Sequence, residues 1–204
     1  PLVQDLWQGD VAHEGRFWQF PSATSCPKPL QQTVPMWVAA RSPITFDYAV
    51  ANDCNIMSWP LTLPFSEAVK YRTQLDEAIA KNGGTYAGRF AMMRHTSVYE
   101  TASDRQSALD ATRGVLSQFG NLIMKSGEVR NGFPDPVPLE SLDGNFRVEP
   151  KMLEDNLMFG SPSQVIDKLG KYQEIGVDAF IYYASMGLGM EQQRRSLQLF
   201  IENV

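Results

Sequence analysis

Four strand-length apolar runs, "MWVAA", "CNIMSW", "RFAMMRHTSVY" and "VDAFIYYA", punctuate this chain, and each leads into a segment with helical spacing. A run that is apolar on both faces must be covered on both sides. Strands separated by helices rather than tight turns pair in parallel. The pattern therefore specifies an α/β protein with a parallel sheet under helices. Two architectures satisfy it: an open four-stranded parallel sheet, or part of a βα barrel. No internal repeat in the sequence separates the two.

The helical segments carry their own signals. "SEAVKYRTQLDEAIAKNG" aligns Val69, Arg72, Leu75 and Ile79, and the apolar members of that row mark a buried face, with Gly83-Gly84 as the stop. "SDRQSALDATRGVLSQF" has Thr101 or Ser103 as its cap. Ser161, Pro162 and Gln164 form a capping box with proline in the first turn. Val165, Ile166, Leu169, Tyr172 and Ile175 follow as the expected buried stripe, before the strand "VDAFIYYA" and a last helix, "MEQQRRSLQLFIENV".

Residues 1–35 form a lead-in rich in Gly and Pro, with "GRFWQF" as a short strand or hairpin arm and the rest as loop. Residues 36–120 hold three βα units, 121–156 a lid-like insertion, and 157–204 the final helix–strand–helix, all within one partial domain. The stretch from Gly127 to Asn156 reads as irregular, which in a compact domain marks either a functional lid or a plain surface insertion.

Bulk properties exclude some functions. With 204 residues and 43% apolar composition the chain can bury a core. A net charge of −5 argues against a nucleic-acid or acidic-membrane surface. No stretch reaches the ~20 apolar residues that span a bilayer. "PLVQDLWQGD" lacks the pattern of a secretory signal, and Cys26 and Cys54 form no metal or disulfide spacing. The expectation is a reduced, metal-free cytoplasmic protein in which Cys54 fills the core.

Ligands gather at the carboxyl ends of parallel strands in both architectures. The first strand delivers Ala40, Arg41, Ser42 and Thr45 just before a helix start. A guanidinium, two hydroxyls and a helix N-terminus make a phosphate cradle; the same residues serve equally as an N-cap beside a surface charge. The second strand delivers Met57, Ser58 and Trp59, an aromatic wall or ordinary rim packing. The third delivers Arg94 and His95 on opposite faces, with Met93, His95 and Ser97 sharing one. His95 suits acid–base work, although a lone strand histidine is as a rule structural. The last delivers Tyr183, Ser185 and the Gly187 and Gly189 of "MGLG", glycines that leave room for backbone to approach a phosphate closely. His13 sits in the lead-in as a solvated residue.

The segments "HEGRFWQF…PKPLQQTVPMWVAARSP", "ANDCNIMSWP", "RHTSVYET", "FGSPSQVIDKL", "YQEIGVDAFIYYA" and "RRSLQLFIENV" together resemble, in order and spacing, the bacterial luciferase-like flavin-dependent monooxygenases. The resemblance implies a (β/α)8 TIM-type barrel, of which this chain is the C-terminal half, strands five to eight. It implies FMN, reduced by a separate flavin reductase, as cofactor, and oxidation of a small organic substrate with O2. Arg41, Ser42 and Thr45, with Ala40, then fall at the flavin phosphate; Met57, Ser58 and Trp59 lie against the flavin ring; His95 lines the active site. Met93 stands where the alkanesulfonate-oxidising branch has an arginine, which argues against a sulfonate. The alternatives are an F420-dependent oxidoreductase of the same fold and a non-catalytic flavin-binding or assembly protein. Four strands cannot close an eight-stranded cylinder, so the chain is expected to be a piece of a longer protein or to complete itself as a homo-oligomer.

Overall fold

The strand runs do pair in parallel and in chain order. The computed structural model describes residues 2–124, 128–135, 138–145, 148–184 and 187–204. The chain divides into two compact units, Pro1–Met36 and Trp37–Val204.

The first unit opens on helix α1 (Leu2–Gln8), followed by an antiparallel hairpin of β1 (Val11–Glu14) and β2 (Gln19–Ala23). Two sequence expectations change here. "GRFW" is the hairpin turn rather than a strand, closed by the Gly15 N–H donating to the Trp18 carbonyl at 2.9 Å. A helix also stands where loop was expected, because its last carbonyls find distant donors: Lys28 Nζ bonds the Leu6 and Gly9 oxygens, and Ser25 Oγ bonds Leu6. His13 is half-buried against Phe20, with ring centroids 5.7 Å apart, instead of solvated.

The second unit runs β3 (Trp37–Ala39), α2 (Pro43–Ala51), β4 (Asn55–Ser58), α3 (Phe65–Lys81), β5 (Phe90–Val98) and α4 (Ala102–Met124). A small hairpin of β6 (Val129–Arg130) and β7 (Phe133–Pro134) follows, then a 3-10 turn at Leu139–Leu142 and helix α5 (Pro150–Asn156). The chain ends with β8 (Met158–Gly160), α6 (Pro162–Glu174), β9 (Ala179–Tyr183) and α7 (Met190–Asn203).

The sheet order is β3-β4-β5-β9, all parallel, with β8 added beside the last three residues of β5. Consecutive neighbours joined by helices are the layout of barrel strands; a doubly wound sheet would reverse direction at its switch point. Strands β3, β8 and β9 are each paired on one side only among the described residues. Strand β8 went unforeseen because "MFG" is too short to carry a period.

Register sorts the side chains by face. Ala39, Met57, Ala91 and Ala179 are paired across the sheet, as are Met93 with Ile181 and His95 with Tyr183. These lie on one face. The other face carries Ile56, Phe90, Met92 and Arg94, all fully or almost fully buried beneath the helices. Tyr182 on that face bonds Ser196 of α7 at 2.8 Å and packs on Phe200. A second cluster, Leu109 of α4 with Leu153, Leu157 and Phe159, ties α5 and β8 into the core. The stretch read as irregular thus contains a core helix, whose seven residues were hidden among prolines and asparagines.

Helix signals fared unevenly. Thr101 accepts from the Asp104 amide, and the Ser161–Gln164 capping box is present in full. The buried side of α3 is Ala68, Tyr71, Leu75 and Ala78; Val69 is exposed, and only Leu75 of the expected row is buried. Two of those four buried residues are alanines, which a search for large apolar side chains passes over, and Tyr71 packs on Phe46 of α2 with ring centroids 6.2 Å apart. In α6, Val165 and Tyr172 are buried but Ile166 is exposed, beside the open edge of β9. Cys54 is buried in the core, as expected.

Candidate functional site

At the carboxyl ends of β4, β5 and β9 three rings converge. Trp59 follows β4 directly, His95 lies on β5, and Tyr183 ends β9 opposite His95 in register. The His95 and Tyr183 rings are 4.4 Å apart and tilted by 31°. Trp59 meets both edge-on, at 5.4 Å from His95 and 5.6 Å from Tyr183. His95 is 3% exposed, whereas Tyr183 is 38% exposed. A ligand at this rim therefore meets Tyr183 first, with the imidazole behind it.

Two polar atoms in the trio, Trp59 Nε1 and His95 Nδ1, are buried and have no hydrogen-bond partner among the described residues. Buried polar groups are paired in the great majority of cases, so two orphans on rings 5.4 Å apart make this rim a candidate ligand site. Burial, followed by the positive charge of Arg94, pushes the His95 imidazole down from 6.5 to about 4. At neutral pH it is an uncharged ring, able to donate from one nitrogen and accept at the other.

The segment after β3 supplies the second half of the site. Ser42 is the N-cap residue of α2 and Pro43 takes its first turn, yet the Ser42 hydroxyl makes no cap bond. It lies 3.0 Å from the Thr45 hydroxyl. Arg41 is exposed and anchored through Nε to the Tyr71 hydroxyl at 3.3 Å; its other N–H groups make no bond among the described residues. A guanidinium and a hydroxyl pair at the start of a nine-residue helix are thus available to an anion.

The remaining candidates divide. Met57 is half-buried on the same sheet face as His95. Ser58 lies on the opposite parity, fully buried, and its hydroxyl donates to the Ala40 carbonyl at 2.7 Å. Ala40 is itself buried and donates its N–H to Met57. These two tie the ends of β3 and β4 together and hold Arg41 and Trp59 on neighbouring strand ends. Gly187 has φ of +77°, and a Cβ there would meet Val115 of α4 at 2.8 Å, so its close approach is to a helix. Gly189 is the N-cap residue of α7, and Ser185 lies outside the described residues. Residue types alone named Tyr183 only as one residue at a strand mouth. Its pairing with His95 depends on register, which no sequence signal fixes.

A family model described as luciferase-like monooxygenase matches residues 1–179. Among curated proteins, the oxygenase component of a flavin-dependent trigonelline monooxygenase from Acinetobacter baylyi is 33% identical over 205 residues, covering 100% of this chain and 57% of the relative. Among solved structures, the monooxygenase RslO1 from Streptomyces bottropensis has a TM-score of 0.68 at 20% identity, covering 99% of this chain and 57% of that one. The F420-dependent tetrahydromethanopterin reductase from Methanopyrus kandleri has a TM-score of 0.71 at 17% identity, covering 99% of this chain and 59% of that one. Both structures show the fold alone. The chain spans little more than half the length of the relatives it matches. No helix among the described residues is long and apolar enough to cross a membrane.

Proposed function

The chain belongs to the luciferase-like monooxygenase family, and on that premise we propose that it carries the strand-five-to-eight half of an oxygenase that takes reduced FMN from a separate reductase and oxidises a small organic substrate with O2. The observation that carries this reading is the aromatic trio, with two polar atoms that have no partner among the described residues, set on the strand ends next to the anion cradle of Arg41, Ser42 and Thr45.

The residues fit the cofactor. Arg41 would fork onto the flavin phosphate, with the Ser42 and Thr45 hydroxyls and the α2 N-terminus completing its partners. Met57 and Trp59 would line the ring. Reduced flavin supplies the electrons that activate O2; the chain's task is to bind, orient and keep water out. A neutral His95 would give or take one hydrogen bond at a flavin or substrate oxygen, and Tyr183 would cover it from solvent. The relative's designation as an oxygenase component supports a reductase partner, and its substrate is trigonelline. The flat faces of Trp59 and Tyr183 suit a ring-bearing substrate.

The test supplies chemically reduced FMN, then O2 and candidate substrates, to the intact protein that contains this chain, as wild type and as His95→Ala. Wild type should incorporate one oxygen atom from O2 into product. His95→Ala should lower turnover by about 100-fold while FMN affinity stays within about threefold. Unchanged turnover removes His95 from the mechanism. FMN binding with no oxygen-dependent product selects the non-catalytic reading, and preference for F420 selects the dehydrogenase.

A further inference from the structure

Arg94 is the largest fully buried side chain described in the protein. It enters no ion pair among the described residues, so its charge rests on hydrogen bonds alone. Nε donates to the Tyr172 hydroxyl at 2.7 Å, Nη1 to the carbonyls of Leu61 at 3.0 Å and Leu63 at 2.8 Å, and Nη2 to the carbonyl of Pro64 at 3.4 Å. Three of its four acceptors thus lie in one short loop, the connection from β4 to α3. The remaining carbonyl of that run, Thr62, accepts from Asn156 at 2.9 Å. Every carbonyl from Leu61 to Pro64 is held by a side chain from elsewhere.

A buried guanidinium without a carboxylate partner is a poor way to gain stability, since an apolar residue of similar volume is often as good or better. A planar fork adds direction instead, fixing several acceptors at once. The loop it fixes starts at Trp59-Pro60. Leu61, two residues past the indole, has φ of +56°, a strained conformation for a leucine, and Arg94 holds its carbonyl there. Arg94 and His95 are successive residues of one strand and point to opposite faces. One rigid element therefore grips the loop from behind and presents the imidazole in front.

We propose that Arg94 is a positioning residue which, from the helix side of the sheet, fastens the β4–α3 loop and so sets the Trp59 indole against His95 at the ligand rim. The role rests on the reading of that rim as the flavin and substrate site, but its test does not need flavin. The chain has two histidines, so 15N-histidine labelling gives two imidazole sets, and His95→Gln identifies the one that matters. In Arg94→Gln the His95 resonances should move as the ring currents of Trp59 change, and amide exchange over residues 61–65 should accelerate at least about tenfold. Exchange in the Leu75–Ala78 turn of α3 should stay as in wild type. Arg94→Lys, a single point donor, should recover only part of both effects. A folded Arg94→Gln with the wild-type His95 signal and loop exchange overturns the proposal.

Should the variant not fold, the wild-type protein decides. The Arg94 guanidinium protons should resist solvent exchange as long as the β5 amides do, and exchange at the rate of an exposed arginine overturns the proposal. Turnover of folded Arg94→Gln with reduced FMN and O2 separates the two levels. A displaced His95 signal with turnover as in wild type supports the role of Arg94 and counts against the rim as the site of the chemistry.

Discussion

Between pH 7 and pH 4.5 the protein is expected to lose about 2–3 kcal/mol of folding stability through His95 alone. Folding lowers this imidazole from 6.5 to about 4, chiefly by burial under Tyr183 and Trp59 and secondarily through Arg94. Below pH 6.5 the unfolded chain takes up the proton while the folded chain stays neutral. The unfolded state then binds more protons, so stability falls with falling pH until about 4, where the folded state protonates too. His95→Gln removes this titration. Urea midpoints of wild type and variant at the two pH values measure it: wild type should lose about 2–3 kcal/mol more than the variant. Glu154, whose carboxyl is lowered chiefly by its Arg105 hydrogen bonds, loses its share at lower pH in both proteins and cancels in the difference. Equal pH dependence in the two proteins would mean that His95 is solvated, and the sealed trio would be wrong.

Lys168→Met should destabilise the fold by about 2–4 kcal/mol, the largest effect expected of a substitution away from the rim. Lys168 of α6 reaches the end of α5 and the start of β8, where its ammonium donates to the carbonyls of Glu154, Leu157 and Phe159, the last two at 2.8 Å each. Those oxygens lie in the last turn of α5, at its C-cap and within the three-residue strand β8, where helix-end carbonyls lack intrahelical partners. Burial pushes the amine down to about 8, so near neutral pH it still carries three N–H donors for three acceptors. Methionine keeps most of the volume and removes every donor. Urea unfolding at pH 7 gives the magnitude, and amide exchange should show residues 150–160 loosened first. A change below about 0.5 kcal/mol would mean that water replaces the amine at no cost.

Much of this architecture could be read from residue order because each signal was local. Strand runs on both sides of helices fixed the parallel sheet, and Ser161-Pro162-Ser163-Gln164 fixed one helix start to the residue. What escaped depends on distant partners. Helix α1 owes its last turn to Lys28 and Ser25, and α5 owes its end to Lys168. At the rim, parity along β5 correctly separated Arg94 from His95. No pattern, however, could show that Ser58 turns to the Ala40 carbonyl or that Tyr183 comes to lie over His95. Arg94 was legible only as a charge in an apolar run. Its purpose depends on three carbonyls some thirty residues away in the chain.

We propose that the rim grips a flavin by its phosphate through Arg41, Ser42 and Thr45. FMN and riboflavin share the ring system and differ by that phosphate, so their dissociation constants for wild type and Arg41→Ala report on the grip alone. Wild type should prefer FMN by about 10–100-fold, the worth of charge-assisted hydrogen bonds, and Arg41→Ala should bring the two ligands close to parity. Equal affinity of wild type for FMN and riboflavin, or an FMN preference untouched by Arg41→Ala, would contradict it.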